Sequence, residues 1–433
     1  MPLQFFEKPR NDKLLSDVLK HHVIHILEMT DILVHQEWGF RTGWSLKKCP
    51  GVDKFLEEMK IHNLEIVIYI LIHPKRTNLP KEVMGYPDYQ IDIDTPKSYL
   101  TRTEILTFLN NYCKDFNLRQ YIKFLHNVMM IEPSDDESKK KWLIKVKNLA
   151  DGVEKNEYFD AVMICNGHYF EPSVSIIDGQ DKFQGQQLHS HDYRVPEKFE
   201  GKTVVVIGAG PSGMDLALEI SSKAKKVFLS HHNRDPIHTI FPEHVIQVPD
   251  VKKFNENEAV FTDGRREKID VIFYCTGYKY SFPFLSSKCG VKVDDNMVTP
   301  LWKHLLSIEN PTLAFVGLPF YVCAFSMFDL QVRFVFKYWL GDKQLPAKDI
   351  MLSEEANELE RKKLQGLGKR HFHMMGPEQG DYYDDLSNTA GLEHLPPVLT
   401  KLHNESSMRF LDDLVHYRED RYKIIDDFNY VKL

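Results

Sequence analysis

No two of the six cysteines stand as Cys-x-x-Cys. That absence argues against a redox dithiol, a zinc ribbon and a disulfide framework, and Cys49, Cys113, Cys165, Cys275, Cys289 and Cys323 read as reduced thiols of a cytosolic protein. An excess of positive charge is missing too. A net charge of −7 gives no reason to expect nucleic acid or an anionic membrane as a partner. The longest apolar run, Ile66 to Ile72, falls far short of the roughly 20 residues that a membrane helix needs. The opening, MPLQFFEKPRND, has its charges after a very short apolar patch and does not read as a secretory signal; the closing RYKIIDDFNYVKL carries no anchor. The expected location is the cytoplasm, with a peripheral position at the endoplasmic reticulum as the alternative. No catalytic triad, acid pair, metal cluster or internal repeat is visible. Glycine is also missing where an early one would matter: FFEKPRNDKLLSDVLKHH contains none, so a phosphate-cradling loop cannot be built from it.

What is present is an ordinary globular composition, 42% hydrophobic and 27% charged, in a chain with room for two or three domains. It is organised around KTVVVIGAGPSGMDLALEI, Lys202 to Ile220. Val204 to Ile207 predict a strand buried on both faces. Gly208-Ala209-Gly210-Pro211-Ser212-Gly213 completes a G-x-G-x-x-G, and Met214, Leu216, Ala217, Leu218 and Ile220 predict a short amphipathic helix. Gly208 permits the tight turn out of the strand, Gly210 leaves room for a pyrophosphate, and Gly213 lets the helix pack closely on the strand. The helix N-terminus then offers free N–H groups to phosphate. The next strand, Lys226 to Ser230, runs into His231-His232-Asn233-Arg234. No acid stands at its end to bond a ribose 2′-hydroxyl, as an NAD site would require. Arg234, with Ser230 or a histidine beside it, suits the 2′-phosphate of NADP, and a solvated surface arginine is the alternative.

Along the rest of the chain, Val23 to Glu28 read as a strand ending in an acid, either a ribose ligand or a solvated charge. Lys75 to Gln90 read as a loop. Thr101 to Phe116 predict a helix with a capping box from Thr101 and Glu104. Strands are expected at Tyr121 to Val128, Trp142 to Val146, Ala161 to Ile164, Val271 to Cys275 and Leu313 to Val316, with the charged SDDESKKK between the first two. Helices are expected at about Phe328 to Leu340 and over 350–370, and the segment HFHMMGPEQGDYYDDLSNTAG reads as irregular. Two strands finish in Asn166-Gly167-His168 and Thr276-Gly277-Tyr278, on either side of the nucleotide motif. Paired crossings of this kind imply one domain inserted into another.

These residues resemble the flavin-containing monooxygenases, in particular their soluble insect and glucosinolate S-oxygenase-like branch, over more than four-fifths of the chain. Phe183-x-Gly185-x-x-x-His189-x-x-x-Tyr193 matches the family's identifying signature. Gly208 to Gly213 match its NADP-binding glycine motif, and Cys275-Thr276-Gly277-Tyr278 its Ala-Thr-Gly-Tyr linker with Cys for Ala. Arg76-Thr77-Asn78-Leu79-Pro80-Lys81-Glu82 matches the loop that carries the family's active-site asparagine, which falls on Asn78, and Gln331 matches a flavin-contacting glutamine. The family begins with a FAD-binding strand and a first G-x-G-x-x-G, followed by Gly-Gly-x-Trp. Here the first motif is absent, and Trp38 in HQEWGF stands as a remnant of the second.

The resemblance implies an α/β, two-dinucleotide-binding-domain flavoprotein with an NADP domain inserted into a larger FAD-type domain whose N-terminal unit is incomplete. The expected divisions are 1–75 (altered or truncated), 76–170, 171–270 (NADP) and 271–433. The implied activity is that of an NADPH-dependent oxidoreductase of the N,N-dimethylaniline monooxygenase type. One oxygen passes from a flavin hydroperoxide to a soft nitrogen or sulfur of a small molecule, and FAD, NADP and molecular oxygen are the partners. Asn78 is the implied catalytic residue, against an Asx turn as its bland reading. Asn166, Gly167, Thr276, Gly277 and Gln331 join the NADP residues Gly208, Gly210, Pro211, Ser212, Gly213, Ser230 and Arg234 as the cofactor set. His189 reads more readily as a structural histidine. A disulfide reductase shares the two-domain plan but needs the missing cysteine pair. The alternative is a catalytically impaired NADP-binding chain that has lost FAD through its N-terminal change.

Overall fold

Two five-stranded sheets organise the molecule. The computed structural model describes residues 76–91, 95–135, 141–233 and 237–433, with the backbone of three earlier strands, Val23–Ile26, Val34–Gly39 and Gly43–Lys48. One sheet has the order Val245–Val248, Lys226–Ser230, Thr203–Ile207, Val271–Tyr274 and Gln186–His189, and every neighbouring pair is parallel. The other has the order Val23–Ile26, Ala161–Ile164, Leu313–Phe315, Leu306–Ser307 and Leu301–Trp302, parallel across its first three strands and antiparallel across the rest. The central strands are continuous apolar runs because both faces are covered: Val204 to Ile207, Val271 to Tyr274, Ala161 to Ile164 and Leu313 to Phe315 are all buried.

The chain crosses between the sheets twice. The crossings pair with each other: Glu171–Pro172 lies antiparallel to Tyr278–Lys279, and Ser173 N–H donates to the Gly277 carbonyl at 2.9 Å. Two antiparallel three-stranded sheets complete the strand layers, one over His126–Pro133, Trp142–Asn148 and Glu154–Phe159, the other over Val251–Asn255, Glu258–Phe261 and Arg266–Lys268. Helices Ala324–Trp339, Lys348–Leu364, Gln379–Ala390 and Pro397–Asp412 follow. The first and third pack in one core with Trp302, Leu305 and Leu306.

Most expected elements are present, and the exceptions have local causes. The strand expected at Tyr121 to Val128 begins only at His126, after a 3-10 turn over Leu118–Tyr121. Leu125, within the expected strand, takes left-handed backbone with φ of 55°, and a ladder cannot run through it. The hairpin to Trp142–Asn148 forms, although its residues 136–140 lie outside the described ones. The segment expected to be irregular contains the helix Gln379–Ala390. Its Asp, Tyr, Ser, Asn and Thr residues have weak helix propensity; burial of Tyr382, Tyr383, Leu386 and Ala390 at helical spacing supplies what propensity does not. Val23–Ile26 is a strand, as its pattern predicts, but Glu28 lies outside the described residues. Trp38 pairs in register with Trp44 in a two-stranded ribbon.

Candidate functional site

The nucleotide motif folds as its glycines require. Thr203–Ile207 ends at Gly208, whose φ is +98° and whose N–H donates to the Ser230 carbonyl at 2.9 Å. A methyl at Gly208 would stand 2.6 Å from the Cys275 carbonyl oxygen, and one at Gly213 would stand 1.9 Å from the Gly208 carbonyl oxygen. A methyl at Gly210 would meet nothing within 4 Å. Gly210 is exposed and caps the helix Pro211–Ser221 with no side-chain cap, and Pro211 takes the first helical position. Ser212 is half-buried in that first turn. The cradle therefore has tight walls at Gly208 and Gly213 and an open floor at Gly210. It lies at the carboxyl end of a strand flanked by Lys226–Ser230 on one side and Val271–Tyr274 on the other, where strand order reverses.

Ser230 closes the second strand, but its hydroxyl donates to the Pro249 carbonyl at 3.0 Å. Arg234 lies outside the described residues. His231 is buried, with its Nε2 on Gln247 Oε1 at 3.0 Å.

A second set of turns stands at the carboxyl ends of the other sheet's parallel strands. Asn166 follows Ala161–Ile164 and donates to the Ser281 carbonyl at 3.4 Å; Gly167 is exposed, with φ of +74° and open space where a side chain would be. The neighbouring strand, Leu313–Phe315, turns at Gly317, with φ of +87°. Two groups fix that turn. Gln331, fully buried, accepts from Gly317 N–H at 2.9 Å and donates to the Tyr382 hydroxyl at 2.8 Å; His168 Nδ1 donates to the Gly317 carbonyl at 2.9 Å. Burial pushes the His168 ring down to about 4, so it is neutral at physiological pH. Thr276 donates its hydroxyl to the Ser173 carbonyl, which ties the two crossings together, and Gly277 is exposed with φ of +79°. Because Cys275 touches Gly208, the Thr276–Gly277 turn adjoins the nucleotide cradle directly.

Asn78 sits half-buried on a loop held at the residue before it. Thr77 is fully buried, its N–H donates to the Leu100 carbonyl at 2.7 Å, and its hydroxyl donates to the Leu79 carbonyl at 2.7 Å. The family signature is structural in its details. Phe183 and Tyr193 are buried, Gly185 leaves no room for a side chain beside the Asp270 carbonyl, and His189 accepts from His191 N–H at 3.0 Å. Burial lowers His189 to about 4.

A model of the family described as flavin-binding monooxygenase-like matches residues 51–240 and 233–405. The chain belongs to this family. It is 36% identical to flavin-containing monooxygenase FMO GS-OX5 of Arabidopsis thaliana over 328 residues, 73% of this chain and 70% of that one. It is 31% identical to senecionine N-oxygenase of Tyria jacobaeae over 364 residues, covering 82% and 78% of the two chains. Among solved structures, S-allyl-L-cysteine S-oxygenase from Allium sativum superposes with a TM-score of 0.76 at 32% identity, over 82% of each chain. As a flavin-binding monooxygenase the chain is an oxidoreductase of the two-dinucleotide-domain type. Among the described residues no helix is long and apolar enough to cross a membrane, and no group of side chains could hold a metal.

Three residues that adjoin the candidate site were not singled out from the sequence. Gly317 had a readable signal, a glycine closing a buried strand. Asp215 had another, an acid inside the otherwise apolar GMDLALEI. Arg418, which pairs with Asp215, had none, since the two are 203 residues apart.

Proposed function

We propose that the chain is an NADPH- and FAD-dependent monooxygenase that places one atom of O2 on a soft nitrogen or sulfur of a small molecule, with the other atom leaving as water. The observation that carries this reading is the glycine cradle: walls with no room for a methyl, an open floor, and a helix N-terminus beneath it, adjoining turns from the second sheet. Relatives named for N-oxygenation and S-oxygenation support the substrate class. When bound, FAD supplies the redox centre and the activation of oxygen.

The chain's own residues then have separable tasks. The N–H groups of Gly210, Ser212 and Gly213 hold the NADPH pyrophosphate, with Pro211 fixing the start of the helix. The Ser230 hydroxyl donates its hydrogen bond to the Pro249 carbonyl, so the 2′-phosphate falls chiefly to Arg234. Asn166, Gly167, Thr276 and Gly277 are the residues that would hold the flavin, with open space at the two glycines and the Asn166 and Thr276 side chains tied to the Ser281 and Ser173 carbonyls. Gln331 is buried and accepts from Gly317 N–H, so it shapes the flavin site through the Gly317 turn. Asn78 offers a neutral amide that donates without supplying a mobile proton, which suits a site where water and stray protons must be kept out. On this reading the segments 76–170 and 271–433 form the FAD-type domain, with 1–75, and 171–270 the NADP domain.

A second reading keeps NADP and loses FAD, and the glycine-free stretch FFEKPRNDKLLSDVLKHH ahead of the Val23–Ile26 strand, from which no phosphate-cradling loop can be built, favours it. One measurement separates the two. The purified protein is expected to show the visible absorption of oxidised flavin and to oxidise NADPH with formation of an S-oxide or N-oxide from a thioether or tertiary amine. A colourless protein that still binds NADPH selects the second reading.

A further inference from the structure

The Arg418 side chain joins two parts of the site that lie far apart in sequence. Its Nη1 and Nη2 donate to the two carboxylate oxygens of Asp215 at 2.9 and 2.7 Å, and its Nε donates to the Thr77 carbonyl at 3.0 Å. Asp215 stands two residues past Gly213, on the helix that begins at the nucleotide cradle. Thr77 is the residue before Asn78. The pair is shielded, with side-chain exposures of 11% for Arg418 and 10% for Asp215, and the guanidinium lies over the Tyr417 ring at 4.5 Å. Around it, Met214 of the helix packs in one apolar cluster with Val83, Tyr99, Tyr417 and Tyr422. The segment carrying Arg418 is itself fastened on both sides: Leu414 N–H donates to Thr239 Oγ1 at 2.8 Å, and Tyr422 N–H donates to Ser98 Oγ at 2.8 Å.

With Thr77 N–H and Oγ1 already bonded, Arg418 takes the remaining group, the carbonyl of the Thr77–Asn78 peptide. The plane of that peptide, and with it the origin of the Asn78 side chain, is set by a guanidinium whose other edge is locked to the nucleotide helix. Only a planar fork reaches both partners at once; a lysine ammonium can satisfy one or the other.

We propose that Arg418 is a positioning residue that couples the pyrophosphate-binding helix to the Asn78 loop, so that seating the nucleotide fixes the loop that presents Asn78. This rests on the reading of the glycine cradle as an NADP site. The test is hydrogen–deuterium exchange of the full chain with and without NADP+, following residues 208–221 and 76–83. In the unaltered protein NADP+ is expected to slow exchange in both segments. In Arg418→Ala it should still slow 208–221, while the slowing of 76–83 is lost. Arg418→Lys should behave like the alanine variant, and it carries the test if alanine does not fold. A purely structural arginine would raise exchange in both states and leave the NADP+-induced difference intact, and that result overturns the proposal. So does a loop that ignores NADP+ in the unaltered protein while 208–221 responds. If 208–221 fails to respond in the unaltered protein, the nucleotide reading itself falls, and the coupling with it.

Discussion

Three glycines of one motif have three different physical jobs, and substitution separates them. Gly210 lies in open space, so Gly210→Ala should leave the melting temperature near its starting value while weakening NADPH binding, because the methyl stands where the pyrophosphate must approach. Gly213→Ala drives a methyl to 1.9 Å from the Gly208 carbonyl and should destabilise the fold by about 1–3 kcal/mol. Parallel NADPH titration and thermal melts check both; unchanged affinity in the first variant would remove the site from this loop. On the proposed reading, the neighbouring strand end sets which nucleotide is preferred. NADPH should bind more tightly than NADH, and Arg234→Ala should narrow the gap, since a charge-assisted contact to phosphate contributes on the order of 1.5–3 kcal/mol. Equal affinity for the two nucleotides in the unaltered protein would refute that assignment.

At the scale of elements, the helix Arg102–Asp115 is the clearest local case. Thr101 Oγ1 accepts from Glu104 N–H at 3.3 Å, and Glu104 Oε2 accepts from Thr101 N–H at 2.7 Å, so both halves of the capping box are made. Thr101→Ala should lower stability by about 1 kcal/mol, read as a shifted urea midpoint, and a midpoint within error of the original would mean that the cap contributes nothing. This helix was legible because caps and periodicity are local. Ala161–Ile164, Thr203–Ile207, Val271–Tyr274 and Leu313–Phe315 were legible for a similar reason, as buried apolar runs with a glycine close behind, whereas Gln186–His189, Val245–Val248, Leu301–Trp302 and Leu306–Ser307, short or polar, were not. The helix Gln379–Ala390 was not, because its stability comes from Tyr382 and Tyr383 packing against distant elements rather than from its own composition. The site divides in the same way. Its glycine turns are read directly from sequence, whereas the hold on Thr77 comes from a residue 341 positions away, which spacing cannot report.

At the scale of the whole molecule, buried histidines set the response to acid. His168 and His189 stand at the crossings between the sheets, and His304, His373 and His403 stand in the C-terminal body. Burial pushes His168, His189 and His403 down to about 4, and it depresses His304 and His373 as well. Burial keeps them neutral, and ring nitrogens of His189, His373 and His403 serve as acceptors. His189 accepts from His191 N–H, His373 Nε2 from Val298 N–H at 3.0 Å, and His403 Nδ1 from Gln379 Nε2 at 2.9 Å. Since His373 Nε2 is an acceptor, its Nδ1 carries the proton and donates to His304 Nδ1 at 3.0 Å. Protonating any of these acceptor nitrogens removes a hydrogen bond and buries a charge; for the His304–His373 pair that charge would also face Lys303, Arg361 and Lys362, with Glu358 as the opposing carboxylate. The unfolded chain takes up protons near the ordinary histidine value of 6.5, while in the folded chain His168, His189, His304 and His403 resist until about 4 and His373 is depressed in the same direction. Stability is therefore complete above about pH 6.5 and falls as pH drops toward 4, by up to about 1.4 kcal/mol per pH unit for each such histidine. Glu82, Asp329 and Glu355, whose values burial raises, act in the opposite sense, but the histidines outnumber them. The urea midpoint should therefore drop steeply between pH 7 and pH 5, and any loss of activity over that interval should follow it. An unchanged midpoint would mean that the histidines are protonated in the folded state after all, and that acid loss of activity belongs to the chemistry at the flavin rather than to the fold.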